Sequence, residues 1–95
     1  MVVAEFTVTP VVGEEMKPYV DAAIELVKAS GLKYEVEAMG TTIEGELDQV
    51  LDVVKKAHLA VKQMGADRVL TEIRIDDRSV GVTIQEEVEP YRMSV

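Results

Sequence analysis

The chain repeats one plan: an alternating strand-like segment, a helical segment with one apolar stripe, then a glycine and another strand. LVKASGLKYEV (26–36) and AVKQMGADRVL (60–70) echo each other, each leaving a helix through Gly31 or Gly65 and entering a strand. Alternation marks the first strand, with Val2, Ala4, Phe6 and Val8 on one face and Val3, Glu5, Thr7 and Thr9 on the other. Pro10 closes it, and a loop over 10–15 follows. Pro18 suits the first turn of a helix, where its missing N–H costs nothing. Val20, Ala23, Ile24 and Val27 then recur at helical spacing.

The next strand sets Leu32, Tyr34, Val36 and Ala38 against Lys33, Glu35 and Glu37, and the Met39-Gly40 corner turns it into a third. There Thr42, Glu44 and Glu46 face one way, and Thr41, Ile43 and Gly45 the other. Asp48 is the expected cap of the second helix, whose stripe reads Val50, Leu51, Val54, Ala57, Val61 and Met64. The last strong strand places Val69, Thr71, Ile73 and Ile75 opposite Leu70, Glu72, Arg74 and Asp76. Two strand–helix–strand units with right-handed crossovers, interleaved in one antiparallel sheet, predict an α+β, ferredoxin-like βαββαβ sandwich. One stripe per helix puts both helices on the same sheet face. The expected division is a domain over 1–79 and a C-terminal extension over 80–95, docking on the same or a neighbouring subunit. In that extension Val80, Val82 and Ile84 alternate as a strand would, while Thr83 with Glu86 forms a capping box before Pro90. Strand and short helix both stay open.

At 95 residues there is room for one core. Hydrophobic content of 47% with 4% aromatic makes that core aliphatic. Eighteen acidic against ten basic residues give a net charge of −8, which disfavours nucleic acid and anionic membrane surfaces. A cationic or zwitterionic partner is electrostatically easier. Without cysteine there is no disulfide, thiolate metal site or cysteine nucleophile. No apolar run reaches the ~18–20 residues that span a bilayer, and the opening MVVAEFTVTP alternates like a strand rather than a leader. The cytoplasm is the expected compartment.

The polar sheet face is the main candidate site. Thr7, Thr9, Thr42 and Glu44 become neighbours if the first and third strands are central, and a partly covered Glu44 needs a partner. The same alternation describes a solvated or subunit-facing surface, and both readings stay open. His58, the single histidine, flanks the second helix's stripe and reads as a satisfied structural group. Ser30, Ser79 and Ser94 have no histidine partner in view, and the spacing of Gly40 and Gly45 is not that of a phosphate loop. Nothing forms a catalytic constellation or a metal cage, so neither enzyme chemistry nor a cofactor is expected.

MGTTIEGELDQV, the helix with Ala57-His58, and GADRV leading into IRIDDR resemble the thiamine-binding protein family of small ferredoxin-like domains, also called the YkoF-like group. The opening Thr9-Pro10-Val11-Val12-Gly13 is similar too. The resemblance implies a non-catalytic pocket for thiamine or its hydroxymethylpyrimidine moiety, used by a carrier or sensor, and assembly into homotetramers. It maps ligand contacts onto Met39, Gly40, Thr41, Ile43 and Glu44, with Thr9 from the first strand. The chain departs from the family in Glu14-Glu15-Met16-Lys17-Pro18, where members often carry small hydroxylated residues. The rival class is an oligomeric regulatory or assembly module without a ligand. An acylphosphatase-like enzyme ranks last, because the arginine-bearing phosphate loop expected after the first strand is missing.

Overall fold

The computed structural model describes residues 1–92. Its elements are β1 (Val2–Pro10), α1 (Lys17–Ala29), β2 (Lys33–Glu37), β3 (Gly40–Gly45), α2 (Leu47–Gln63), β4 (Val69–Asp76) and α3 (Ile84–Arg92). The strands form one antiparallel sheet in the order β2-β3-β1-β4, the ferredoxin-like arrangement with β1 and β3 central.

Register sorts the two faces, because residues directly opposite across an antiparallel pair share a side. Ala4 pairs with Ile43 and Ile75, and Phe6 with Thr41 and Ile73. This face packs on α1 and α2, where Val2, Ala4, Phe6 and Ile43 meet Tyr19, Ala23 and Val27 of the first helix and Val50, Val54, Ala57 and Val61 of the second. The other face pairs Val3 with Glu44, Glu5 with Thr42 and Arg74, and Thr7 with Glu72. Gly31 and Gly65 end the two long helices with φ of 75° and 105°, the left-handed region a side chain would resist.

Three details depart from the sequence reading. The α2 cap is Glu46 rather than Asp48: its N–H donates to Gln49 Oε1 at 3.1 Å, and Leu47 is already helical. The helix therefore starts earlier. Its buried stripe takes Val53, while Leu51 is 43% exposed and Met64 is also outside the core. In α1, Tyr19 goes into the core and Val20 stays exposed.

The undecided C-terminal segment is a helix from Ile84 onward. Thr83 Oγ1 accepts the Glu86 N–H at 3.2 Å, as a cap does. Val82 and Ile84 are buried against Val3 in a second, smaller core on the far side of the sheet. Residues 93–95 of the expected extension, Ser94 among them, lie outside the described residues.

Ile43 is completely buried under both long helices. Ile43→Ala is expected to cost about 2–5 kcal/mol. Leu51→Ser should stay within about 0.5 kcal/mol of the native chain. Urea unfolding of both variants checks the core and the corrected α2 stripe together.

Candidate functional site

A cleft of about 330 Å³ opens between α1 and the corner where β2 turns into β3. Val20, Ala23, Ile24 and Val27 form its helix wall, with Met16 at the loop leading in. Phe6, Val8 and Thr41 lie on the sheet side, and Val36, Ala38, Met39 and Gly40 come from the hairpin. Thr7, Thr9 and Glu37 complete the border, and of all these residues Glu37 alone is ionisable.

The cleft follows from an apolar sheet face that outruns its cover. Tyr34 packs on the main core, but Val36, two residues on and on the same face, is 53% exposed. Ala23 and Ala38 contribute little bulk to fill the gap. Gly40 has a different constraint. A Cβ there would sit 3.1 Å from the Phe6 carbonyl oxygen and 3.2 Å from Thr7 Cγ2, so the hairpin lies this close to β1 only without a side chain. On the opposite rim, the Tyr19 hydroxyl donates to the Glu14 carboxylate. That bond holds the phenol above its ordinary pKa, with partial burial adding to the effect. Val11 N–H donates to the Arg68 carbonyl at 2.8 Å. Both bonds fix the loop that carries Met16.

The six residues singled out from the sequence divide among three places. Thr9, Met39, Gly40 and Thr41 border the cleft. Ile43 is in the core, with no exposed surface. Glu44 is on the other sheet face, 9% exposed, and its Oε1 accepts the Ile84 N–H at 3.3 Å. A carboxylate at the first turn of a helix meets the positive end of its dipole, so here Glu44 anchors α3. Met16, Val20, Ile24 and Val36 form much of the cleft's apolar wall and were not among the six. Their signal was present as more apolar positions on α1 and β2 than one core stripe requires.

Two arginines fasten the rest of α3 across this face. Arg78 Nη2 bridges Asp76 Oδ2 at 3.0 Å and Glu87 Oε1 at 3.2 Å. Arg92 donates two bonds to Glu35, at 3.1 and 3.0 Å, and comes within 3.5 Å of Glu37. Its guanidinium holds the Glu35 carboxyl below the ordinary range. Arg78 does the same for Asp76, whereas Glu87, hydrogen-bonded to Asp76, is pushed up.

The single histidine is engaged away from the cleft. His58 Nδ1 lies 2.6 Å from Thr71 Oγ1 and is not among the bordering residues. Among the described residues, no group of three or more His, Asp or Glu side chains is arranged to hold a metal ion. Also among them, no helix is long and apolar enough to cross a membrane. What the cleft offers is apolar contact from adaptable thioethers and aliphatic walls, with a few hydroxyls to orient a ligand.

The model of the family described as thiamine-binding protein matches residues 4–92, from β1 to the end of α3. The chain belongs to the thiamine-binding protein family. A UPF0045 protein of Methanothermobacter thermautotrophicus is 46% identical over 81 residues, covering 82% of both chains. One from Methanocaldococcus jannaschii is 44% identical over 78 residues, covering 81% of this chain and 77% of its own. Among solved structures, a domain of unknown function from Bacillus cereus superposes with a TM-score of 0.91 at 49% identity, over 98% of this chain and 91% of that one. A Thermotoga maritima protein named provisionally for thiamine biosynthesis or salvage gives 0.87 at 36% identity, over 96% and 98%. The matched residues run through α3, whose first turn receives the Glu44 carboxylate in this chain.

The ion pairs on α3 predict two opposite titrations. In the native state the Glu35 carboxyl should titrate below its ordinary value and Glu87 above it, read by carboxyl carbon NMR. The stabilisation from Glu35 is then present above the unfolded carboxyl value and lost as pH falls through the depressed native one. That from Glu87 is present below the unfolded value and lost as pH rises through the raised one. Arg92→Ala should raise Glu35 toward its ordinary value, with Glu37 and Lys33 still acting on it, and leave Glu87 in place.

Proposed function

We propose that this protein is a non-catalytic binder of thiamine or its hydroxymethylpyrimidine moiety, acting as carrier or sensor, with the ligand held in the cleft beside the β2–β3 hairpin. The observation that carries this reading is where Met39, Gly40 and Thr41 fall. The segment that bears the family resemblance forms the hairpin wall of an apolar cleft with hydroxyl groups on its border. Its volume of about 330 Å³ is near the lower end of the ~300–1,000 Å³ typical of small-molecule sites. That size suits a single substituted heteroaromatic ring.

The chemistry follows from the lining. A flat aminopyrimidine loses water-exposed area between Ile24 and Val36, and Met16 and Met39 adjust to its faces. Thr41, on the helix-side face of the sheet, supplies a hydroxyl that donates to or accepts from ring nitrogens and the amino group. Glu37 is the one ionisable residue bordering the cleft; it also lies 3.5 Å from Arg92, and the part of its negative charge that Arg92 leaves uncompensated favours a ligand carrying a positive thiazolium at the mouth. With no aromatic ring but Phe6 on the border, stacking is limited and affinity modest. The reading includes assembly as a homotetramer, which light scattering of the purified chain checks.

Calorimetric titration with thiamine and with hydroxymethylpyrimidine tests the proposal. Saturable heat is expected with one or both. Thr41→Val should weaken binding about tenfold, the equivalent of one lost hydrogen bond of about 1.4 kcal/mol. Val36→Trp, at an exposed strand position, should fill the cleft and abolish the heat. Undiminished binding by a folded Val36→Trp chain would place the ligand elsewhere.

A further inference from the structure

We infer that Arg92 is a positioning residue for the cleft, and that docking of α3 and occupancy of the cleft are coupled through the two faces of β2. The coupling rests on the ligand-binding reading above for its functional meaning, but its structural basis is independent of it.

β2 has alternate residues on opposite sides of the sheet. Val36 forms part of the cleft wall, whereas Glu35, beside it on the other face, receives both bonds from Arg92. Glu37 takes part in both: it borders the cleft and lies 3.5 Å from the same guanidinium. Ala38, Met39 and Gly40 follow directly, so the clasp grips the strand immediately before the hairpin wall of the cleft.

That wall is carried by an edge of the sheet. β2 is five residues long and is an edge strand, hydrogen-bonded to β3 on one side alone. Without Arg92, Glu35 and Glu37 are two like charges on one face of that edge, and they repel. With it, both are drawn toward one bidentate cation whose helix is tied down elsewhere by Glu44 and Arg78. Docked α3 thus holds the hairpin where it closes the cleft against α1. Linkage makes the effect reciprocal: a ligand that stabilises the hairpin also stabilises the docked helix, by the same factor.

The clasp is solvent-exposed, so the effect is modest, about two- to fivefold in affinity. The experiment combines calorimetry with amide hydrogen exchange on the native chain, Arg92→Ala, Glu35→Gln, the double variant and Arg92→Lys. In the ligand-free state Arg92→Ala should speed exchange at Thr41 and its hairpin neighbours while leaving the Val27 and Val50 amides unchanged. Each single variant should weaken hydroxymethylpyrimidine binding by that factor, the double variant no further, and Arg92→Lys should recover part of it. Ligand should slow exchange in α3 of the native chain and not of Arg92→Ala. Native-like affinity and native-like hairpin exchange in Arg92→Ala would overturn the coupling while leaving the binding site intact. If the native chain gives no heat with either compound, the binding reading fails instead. Hairpin exchange alone then decides the clasp: acceleration in Arg92→Ala upholds it, and no change overturns it.

Discussion

Burial of alternate residues on the two central strands is the constraint from which the rest of this molecule follows. Ala4, Phe6 and Ile43 form the floor on which both long helices rest, and Val27, Val50 and Val61 close over them with almost no exposed surface. Because strand side chains alternate strictly, committing these residues to one face sends Val3, Glu5, Thr42 and Glu44 to the other. A shift of one residue in either strand would send that strand's core residues to the opposite face, and turn Glu5 of β1 or Thr42 of β3 towards the helices. The sheet therefore has two different surfaces, and each acquires its own device: a cleft beside α1 on one, a strapped helix on the other.

The two devices use different physics. The cleft exists because close packing stops short at one end of the sheet, where Ala23 and Ala38 leave space that Val20, Ile24 and Val36 line but do not fill. The docked helix adds few buried residues, Val82 and Ile84 on Val3, and relies on directed polar contacts: Glu44 at its start, Arg78 midway and Arg92 at its end. Such contacts respond to pH, salt and substitution more readily than a hydrophobic core does. β2 is the element common to both, which is why an edge strand of five residues has more influence here than its length implies.

Much of the fold was legible in the residues because it rests on local periodicity. Val2 to Thr9 and Val69 to Asp76 alternate without a break, and the register places every one of these side chains on the side the alternation assigned. Errors came where two local rules competed. Asp48 is a good cap in isolation, yet Glu46 with Gln49 three residues later makes the reciprocal pair, and the helix starts there. At 80–84, alternation and a capping box gave contrary signals, and contact with Val3 together with the Glu44 carboxylate came down on the side of the helix. The candidate site was partly legible for a similar reason. Met39, Gly40 and Thr41 are close in sequence and stay close in space, but Glu44, three residues beyond Thr41, points through the sheet to the opposite face.

The sequence by itself determined the element order, the two faces of the sheet and the acidic, cysteine-free chemistry, since each depends on residues within a turn or a few strand positions of one another. Only the tertiary structure decided that Val20, Ile24 and Val36 line an open cleft rather than complete the core. That outcome depends on how far α1 lies from the hairpin wall, Val36 to Gly40, that follows it in the chain. It likewise decided that Glu44 holds a helix and that Arg92 reaches back across 57 positions to Glu35. Contacts of that separation leave no periodic trace, because the chain's local preferences are the same whether or not the distant partner arrives.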